Sequence, residues 1–260
     1  MFEQIKERLK DRIFYQEDNG LLVKGDCLDI LPMLPDDSVD LVLTDPPYNV
    51  RWKSAIELHG RKAMMHFADE VKKGWDNVSL KELYQTIFPH LDKLLKNNGS
   101  VILFTSQEGV GYAKDEAMKN GLDMKCEMIW EKQNPLPQVR KKNYLCAFEC
   151  IVWLARWNEK KCDFTFNFGT QNEMKNIFRF PICQGNERTD HPTQKPIELM
   201  KKIVLIHSNE GDIILDPFLG SGTTAVASKQ LGRKYIGIEV SKDYLDMAVK
   251  RLQGISGNLF

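Results

Sequence analysis

Asp45-Pro46-Pro47-Tyr48 follows an apolar run, Val39 to Thr44, that reads as a buried strand. The tetrapeptide therefore falls where a parallel strand hands over to its loop, the place where open α/β sheets put chemistry. Asp45 can accept hydrogen bonds from an amino group. Pro46 and Pro47 stiffen the backbone and remove two N–H donors, so the loop presents carbonyl acceptors. Tyr48 offers a flat face for a planar ring. An acidic acceptor, a rigid carbonyl and an aromatic platform describe a pocket for the exocyclic amine of a nucleobase. Taken alone, Asp-Pro-Pro is also ordinary turn chemistry.

A second motif changes that balance. Ile213 to Leu215 reads as a short buried strand, Asp216 ends it, and Pro217-Phe218-Leu219-Gly220-Ser221-Gly222 makes a tight turn into a helix over 223–231. Glycines let a ligand approach the backbone, and a helix N-terminus offers free N–H groups. The next strand, 235–239, ends in Glu239, whose carboxylate suits a ribose hydroxyl pair. Ser241 is then expected to cap a helix over 242–252. Gly220, Gly222 and Ala225 also fit a loose dinucleotide fingerprint, so a nicotinamide or flavin enzyme is a fair reading of this segment alone. Asp216 argues against it, because a carboxylate before the loop suits a ligand ammonium better than a pyrophosphate. A Walker loop is excluded, since no Lys follows the glycines.

Together the two motifs resemble the amino-methyltransferases that modify exocyclic amines in DNA. Their order, Asp-Pro-Pro-Tyr first and Gly-Ser-Gly last, is similar to the beta class of restriction–modification systems, which are circularly permuted relative to other S-adenosylmethionine (SAM) enzymes. The resemblance spans roughly residues 21–252. It implies Asp45, Pro46, Pro47 and Tyr48 as catalytic residues. It places Asp26 and Cys27 near the cofactor adenine, His191 and Lys195 of His191-Pro192-Thr193-Gln194-Lys195-Pro196 near its methionine end, and Asp216, Phe218, Gly220, Ser221, Gly222, Thr223 and Glu239 around the rest. Asn134-Pro135-Leu136-Pro137 resembles a family loop near the target base, and Phe148 to Trp153 another family strand. The implied reaction is methyl transfer from SAM to N6 of adenine in DNA. N4 of cytosine is the rival, because the acidic first residue usually accompanies adenine and Ser cytosine. A non-catalytic SAM-sensing DNA-binding protein is the alternative of another class. DNA is the implied partner; members also work beside a cognate restriction endonuclease, and dimers occur.

The elements that must hold these residues read as an α/β fold: a doubly wound, mostly parallel seven-stranded sheet forming one methyltransferase domain over 1–260. The expected strands are 21–24, 40–44, 101–105, 126–131, 149–154, 213–216 and 235–239. In a permuted sheet the first two and last two lie side by side, with 40–44 and 213–216 flanking the switch point. Residues 1–20 read as a charged helix with Phe2, Ile5 and Leu9 on one side. Residues 49–76 are expected to be a mobile loop over the site. Ser79 and Glu82 form a capping box for a helix running to about Lys96. Residues 155–190, with Phe164, Phe166, Phe168 and Phe178, are the candidate target-recognition segment, the aromatics being expected as a small core.

Composition bounds the rest. The 260 residues suffice for one sizeable α/β domain. The longest apolar runs are strand-length, so no membrane helix is expected. The charged N-terminus does not resemble a secretory signal, so the six cysteines are expected as reduced thiols in a cytosol, and the resemblance implies a cytoplasmic protein that is prokaryotic or phage-encoded. No metal spacing appears among the five histidines. Lys+Arg and Asp+Glu both number 36, which gives no general attraction to DNA. Basic residues instead cluster at Arg51, Lys53, Arg61 and Lys62, at Arg140, Lys141 and Lys142, and at Arg156, Lys160 and Lys161. All three clusters follow strand ends and are expected to line one cleft.

Overall fold

Period-two alternation in the central strands sets up two cores, one on each face of a sheet. The computed structural model describes residues 1–47, 79–138, 141–156 and 163–255. In chain order they form α1 (Phe2–Leu9), β1 (Ile13–Glu17), β2 (Gly20–Lys24), α2 (Cys27–Ile30), β3 (Val39–Thr44), α3 (Leu80–Leu94), β4 (Leu95–Thr105), α4 (Gln107–Lys119), β5 (Leu122–Lys132), β6 (Phe148–Arg156), β7 (Ile177–Phe180), α5 (Ile197–His207), β8 (Ile213–Asp216), α6 (Thr223–Gln230), β9 (Lys234–Glu239) and α7 (Lys242–Gln253), with short 3-10 turns between some of them. Val42 of β3 and Val101 and Leu103 of β4 point to one core, packed beneath α1 to α4. Leu41, Leu43, Ile102 and Phe104 point the other way, toward α5. Leu22, Tyr235 and the buried faces of α6 and α7 complete that second side.

The strands form one sheet in the order β1-β2-β9-β8-β3-β4-β6-β5-β7. Among the described residues it has nine strands, two more than the sequence pattern predicts. All seven expected strands are present. The first two and last two of those lie side by side, β2 against β9, β9 against β8 and β8 against β3, all parallel. The added strands are edges. β1 arises inside the segment expected to be helix: α1 stops at Leu9, and Ile13-Phe14-Tyr15 pairs antiparallel with β2. β-branched and aromatic residues favour a pleated strand over a helix there. β7 comes from the aromatic segment before α5 and pairs parallel with β5.

Two buried latches fix the strand ends. Asp40 accepts from the Lys96 ammonium at 2.9 and 2.8 Å and from the Ile213 N–H at 2.8 Å, tying β3, β4 and β8 together. At the opposite edge Asp216 ties β8 to β3 and α6. The Ser79–Glu82 capping box forms as the sequence predicts, with Glu82 N–H donating to Ser79 Oγ at 3.2 Å and Ser79 N–H to Glu82 Oε2 at 2.9 Å. Such a cap stabilises a helix by about 1 kcal/mol. Ser241 does occupy the position before α7, but its hydroxyl makes no cap bond. Its N–H donates to Glu239 instead. Among the described residues, no helix is long and apolar enough to cross a membrane.

Candidate active site

Because β2, β9, β8, β3 and β4 run parallel, their C-terminal ends share one edge of the sheet. Asp26, Glu239, the 217–222 turn and Asp45 all follow those ends, so the two motifs, some 170 residues apart in sequence, meet where the pattern predicts. β6 runs antiparallel between β4 and β5, which brings the start of β6 and the end of β5 to the same edge. Glu149 and Lys132 therefore join the site.

The 217–222 turn is shaped by backbone that side chains rarely adopt. Gly220 has φ +52° and Gly222 φ +81°. A Cβ on Gly220 would lie 2.8 Å from His191 Nε2, and one on Gly222 would lie 2.6 Å from the Ala248 Cβ. The loop is thus pressed between the His191 ring and α7. Arg251 grips it from α7, donating to Ser221 O at 2.7 Å, Ser221 Oγ at 3.2 Å and Thr223 Oγ1 at 2.9 Å. The sequence reading missed Arg251, because a charged residue in the last turn of a helix usually faces solvent.

Glu239 is fixed by two backbone donors, Gly220 N–H at 2.9 Å and Ser241 N–H at 2.8 Å. Burial pushes its carboxyl up to about 7, with those N–H groups pulling the other way. Each oxygen keeps acceptor capacity, which suits a diol. The Gly25 N–H donates to Glu239 O at 3.1 Å, so the Asp26 loop sits against the end of β9. Asp26 caps α2, accepting from Leu28 N–H at 2.9 Å, and Cys27 is buried behind it. Phe218 packs against the core beneath the same edge.

Asp216 is 4 % exposed and already accepts three bonds: from Thr44 Oγ1 at 2.8 Å, Phe218 N–H at 3.1 Å and Thr224 Oγ1 at 2.6 Å. Burial raises its carboxyl to about 6 against those donors. His191 packs edge-on against Tyr244, ring centres 4.6 Å apart, and burial holds it neutral, with a value of about 3. Its Nδ1 is buried without a hydrogen-bond partner among the described residues. An unpartnered polar atom beside a glycine cradle and a pinned carboxylate fits a polar ligand such as SAM.

Asp45 is held from one side only. Its Oδ2 accepts from the Lys195 ammonium, while Oδ1 is buried with no hydrogen-bond partner among the described residues. Lys195 is 5 % exposed and also pairs with Glu149 Oε2 at 3.3 Å. The sequence pattern assigns Lys195 to the cofactor's methionine end; its ammonium bonds Asp45. Gln194 orders the approach to it, accepting from Thr189 N–H at 2.8 Å and donating to Glu187 O at 2.7 Å. Pro46 is buried and Pro47 exposed, while Tyr48 and the 49–76 loop lie outside the described residues.

The basic clusters divide. Lys141 and Lys142 are exposed in the β5–β6 connection at the site's edge. Arg156 ends antiparallel β6 and so lies at the far edge, donating to Asp92 Oδ1 at 2.8 Å and Leu95 O at 3.0 Å. It braces α3 and does not line the cleft. Arg51, Lys53, Arg61, Lys62, Arg140, Lys160 and Lys161 lie outside the described residues. Phe164 and Phe166 pack on Trp153, both with ring centres 5.0 Å away, as the small core expected of them.

Known proteins resemble this chain along most of its length. The family described as "DNA methylase" matches residues 39–250. The type II methyltransferase M.HinfI of Haemophilus influenzae is 32% identical, the match covering 98% of this chain and 72% of that protein. The type II methyltransferase M2.LlaDCHI of Lactococcus lactis subsp. cremoris is 32% identical over 94% of this chain and 93% of that protein. Among solved structures, the M1.HpyAVI–SAM complex superposes with a TM-score of 0.66 at 31% identity, covering 90% of this chain and 98% of that one. The cytosine-N4-specific PvuII DNA methyltransferase shares the fold, with a TM-score of 0.69 at 20% identity, covering 96% of this chain and 90% of that one. The chain belongs to the DNA methylase family, the SAM-dependent DNA amino-methyltransferases of the restriction–modification kind.

Proposed function

We propose that this protein methylates N6 of adenine at specific sites in DNA. The observation that carries this reading is the Asp45 carboxylate, one oxygen held by Lys195 and the other buried beside Pro46 with no partner among the described residues. An adenine amine is a poor nucleophile because its lone pair is delocalised into the ring. Asp45 Oδ1 and the Pro46 carbonyl would accept its two hydrogens, which draws the nitrogen toward tetrahedral geometry and frees the lone pair. SAM supplies an electrophilic methyl group on a sulfonium sulfur. Glu239 would hold its ribose, Asp26 and Phe218 would face its adenine, and the 220–223 turn, Asp216 and His191 its methionine end. Positioning within about 3–3.5 Å contributes most of the acceleration. The amine becomes acidic only once methylated, so Asp45 need not be a strong base beforehand.

The acidic residue at position 45 favours adenine over cytosine, following the family's pattern. The target must leave the duplex, which costs a few kcal/mol, and stacking on Tyr48 would return about 1–3 kcal/mol. Lys141 and Lys142 would meet phosphates beside the cleft, and residues 155–190 would read sequence. Action in the cytoplasm, a cognate restriction endonuclease and a homodimer complete the reading on family grounds.

The test is mass spectrometry of nucleosides from mixed-sequence DNA incubated with protein and SAM. N6-methyladenine is expected; N4-methylcytosine would overturn the substrate assignment and keep the chemistry. Asp45→Ala should lose methylation by about 100-fold or more while SAM still raises the melting temperature. Near wild-type turnover in that variant would sink the mechanism.

A further inference from the structure

Four side chains of alternating charge run inward from the catalytic loop. Asp45, after β3, pairs with Lys195, which precedes α5. Lys195 pairs with Glu149 of β6 at 3.3 Å, and Glu149 Oε1 pairs with Lys132 of β5 at 2.8 Å. Their side chains are 20, 5, 19 and 14 % exposed respectively. Two strands, the loop after β3 and the His-Pro-Thr-Gln-Lys-Pro segment thus contribute one row.

We propose that Lys195 and Glu149 are positioning residues that set the charge and the free face of Asp45, with Lys132 anchoring the far end. The inference rests on the methylation reading above. Lys195 takes Oδ2, so the carboxylate cannot rotate without leaving a buried ammonium short of an acceptor, and Oδ1 stays directed to the amine. A lone buried ammonium between two carboxylates would be shared, and Glu149 alone would compete for it. Lys132 engages the other oxygen of Glu149, so the competition is balanced by a second cation. The Lys195 Nζ also lies 5.1 Å from the Phe104 ring centre, which favours the ammonium form further.

The charges act on Asp45 with opposite signs. Burial pushes its carboxyl above the ordinary range, Lys195 pulls it down, Glu149 pushes it up and Lys132 pulls it down. Burial alone would lower Lys195, but Asp45 and Glu149 outweigh it and keep the ammonium charged. Two other titratable groups feel Asp45: Tyr84 of α3, whose hydroxyl is shared with Thr105 Oγ1 at 2.7 Å, and Asp216 of β8. Both are engaged elsewhere and are present unchanged in every variant below.

The experiment compares Lys195→Met, Glu149→Gln and Lys132→Met. The first readout is the acid limb of the pH–rate profile, set by ionisation of the amine acceptor. Lys195→Met should move that limb up by about 1–3 pH units, and Lys132→Met up by less. Glu149→Gln should move it down by about one unit. The second readout is the titration of 13Cγ-labelled aspartate in the cofactor-free protein, the Asp45 signal being the one lost in Asp45→Asn; it should shift the same way without any turnover. Retained SAM-induced thermal stabilisation shows that each variant folds, and Glu149→Gln and Lys132→Met keep the test alive if Lys195→Met does not. Shifts of one sign throughout, or none, would overturn the charge row while wild-type methylation stands. Absent methylation by the wild type would instead overturn the methylation reading, and the 13C titration would still decide the row.

Discussion

Replacing Gly222 with Ala places a methyl group where the structure has no room for one. Two costs follow. The residue has φ +81°, and an L side chain in the left-handed region costs roughly 1–2 kcal/mol. The new Cβ would also sit 2.6 Å from the Ala248 Cβ and 3.1 Å from its Cα, and overpacking of that kind costs roughly 1–3 kcal/mol. The sum is roughly 2–5 kcal/mol, or about 4–10 °C in Tm at about 2 °C per kcal/mol for a chain of this size. Gly211→Ala separates the two costs: its φ is +83°, but nothing among the described residues lies within 4 Å of a Cβ placed there, so about 2–4 °C is expected from backbone strain alone. Relief by Ala248→Gly gives the third measurement. That change alone weakens α7 by about 1 kcal/mol. In the Gly222→Ala background it should recover part of the loss, giving a coupling energy of about 1–2 kcal/mol in a double-mutant cycle. Thermal and urea melts supply the stabilities, and the SAM-induced rise in Tm reports cofactor binding. Gly222→Ala should lose most of that rise and Gly211→Ala should keep it. If the two alanine variants were equally stable and bound SAM alike, the turn would not be pressed against α7 and the packing argument would fail.

Glu239 predicts a pH-dependent cofactor affinity. Its carboxyl is raised to about 7, so SAM affinity should strengthen as pH rises through 7 and level off above it. The linked stability has the opposite sense: with the folded value above the unfolded 4.5, this group stabilises the cofactor-free fold fully below pH 4.5 and loses that contribution, about 3 kcal/mol, as pH passes 7. Glu239→Gln should bind SAM weakly at every pH by calorimetry, and a pH step that survives the substitution would assign the titration elsewhere. Arg251→Met should weaken SAM binding roughly tenfold and cost about 1–3 kcal/mol of stability, because three acceptors in the turn lose their donor. The methylation rate at saturating SAM should hold; unchanged SAM affinity would remove Arg251 from the cofactor loop.

The strands were legible because each central one is an apolar run too short for a helix and ended by a turn signal, and length and those flanks decide where burial on both faces removes the alternation. Motif order then sufficed to seat β2 beside β9 and β8 beside β3. The edges were harder. Ile13 to Glu17 lies among charges after a helical stretch, and only pairing with β2 makes it a strand. Such context is tertiary, and it reinforces the strand preference of Ile13, Phe14 and Tyr15 that the surrounding charges hide. Among the candidate-site residues, those in a turn or at a strand end, Gly220, Gly222 and Glu239, were visible from spacing. Arg251, Glu149 and Lys132 were not, because a charged side chain in a helix or strand looks solvated until its partner arrives from 17 to 46 residues away. Arg156 of the third basic cluster misled for a related reason: strand direction decides which edge a strand end occupies, and nothing local to Arg156 shows that β6 runs backwards.

The pairing of β2 with β9 joins two segments that lie far apart in the sequence. Gly20 lies opposite Tyr235, and Lys24 opposite Glu239. A growing chain therefore exposes β1 and β2 long before their neighbour exists, and β3 likewise waits for β8. Contacts this distant in sequence form slowly, since the loop must close before any pairing returns free energy. The edge that carries the candidate site cannot be assembled until residue 239 has left the ribosome, so SAM binding would arrive in one step rather than building up along the chain. SAM, bound only by the finished sheet, would then act as a folding ligand that captures the last strands as they dock.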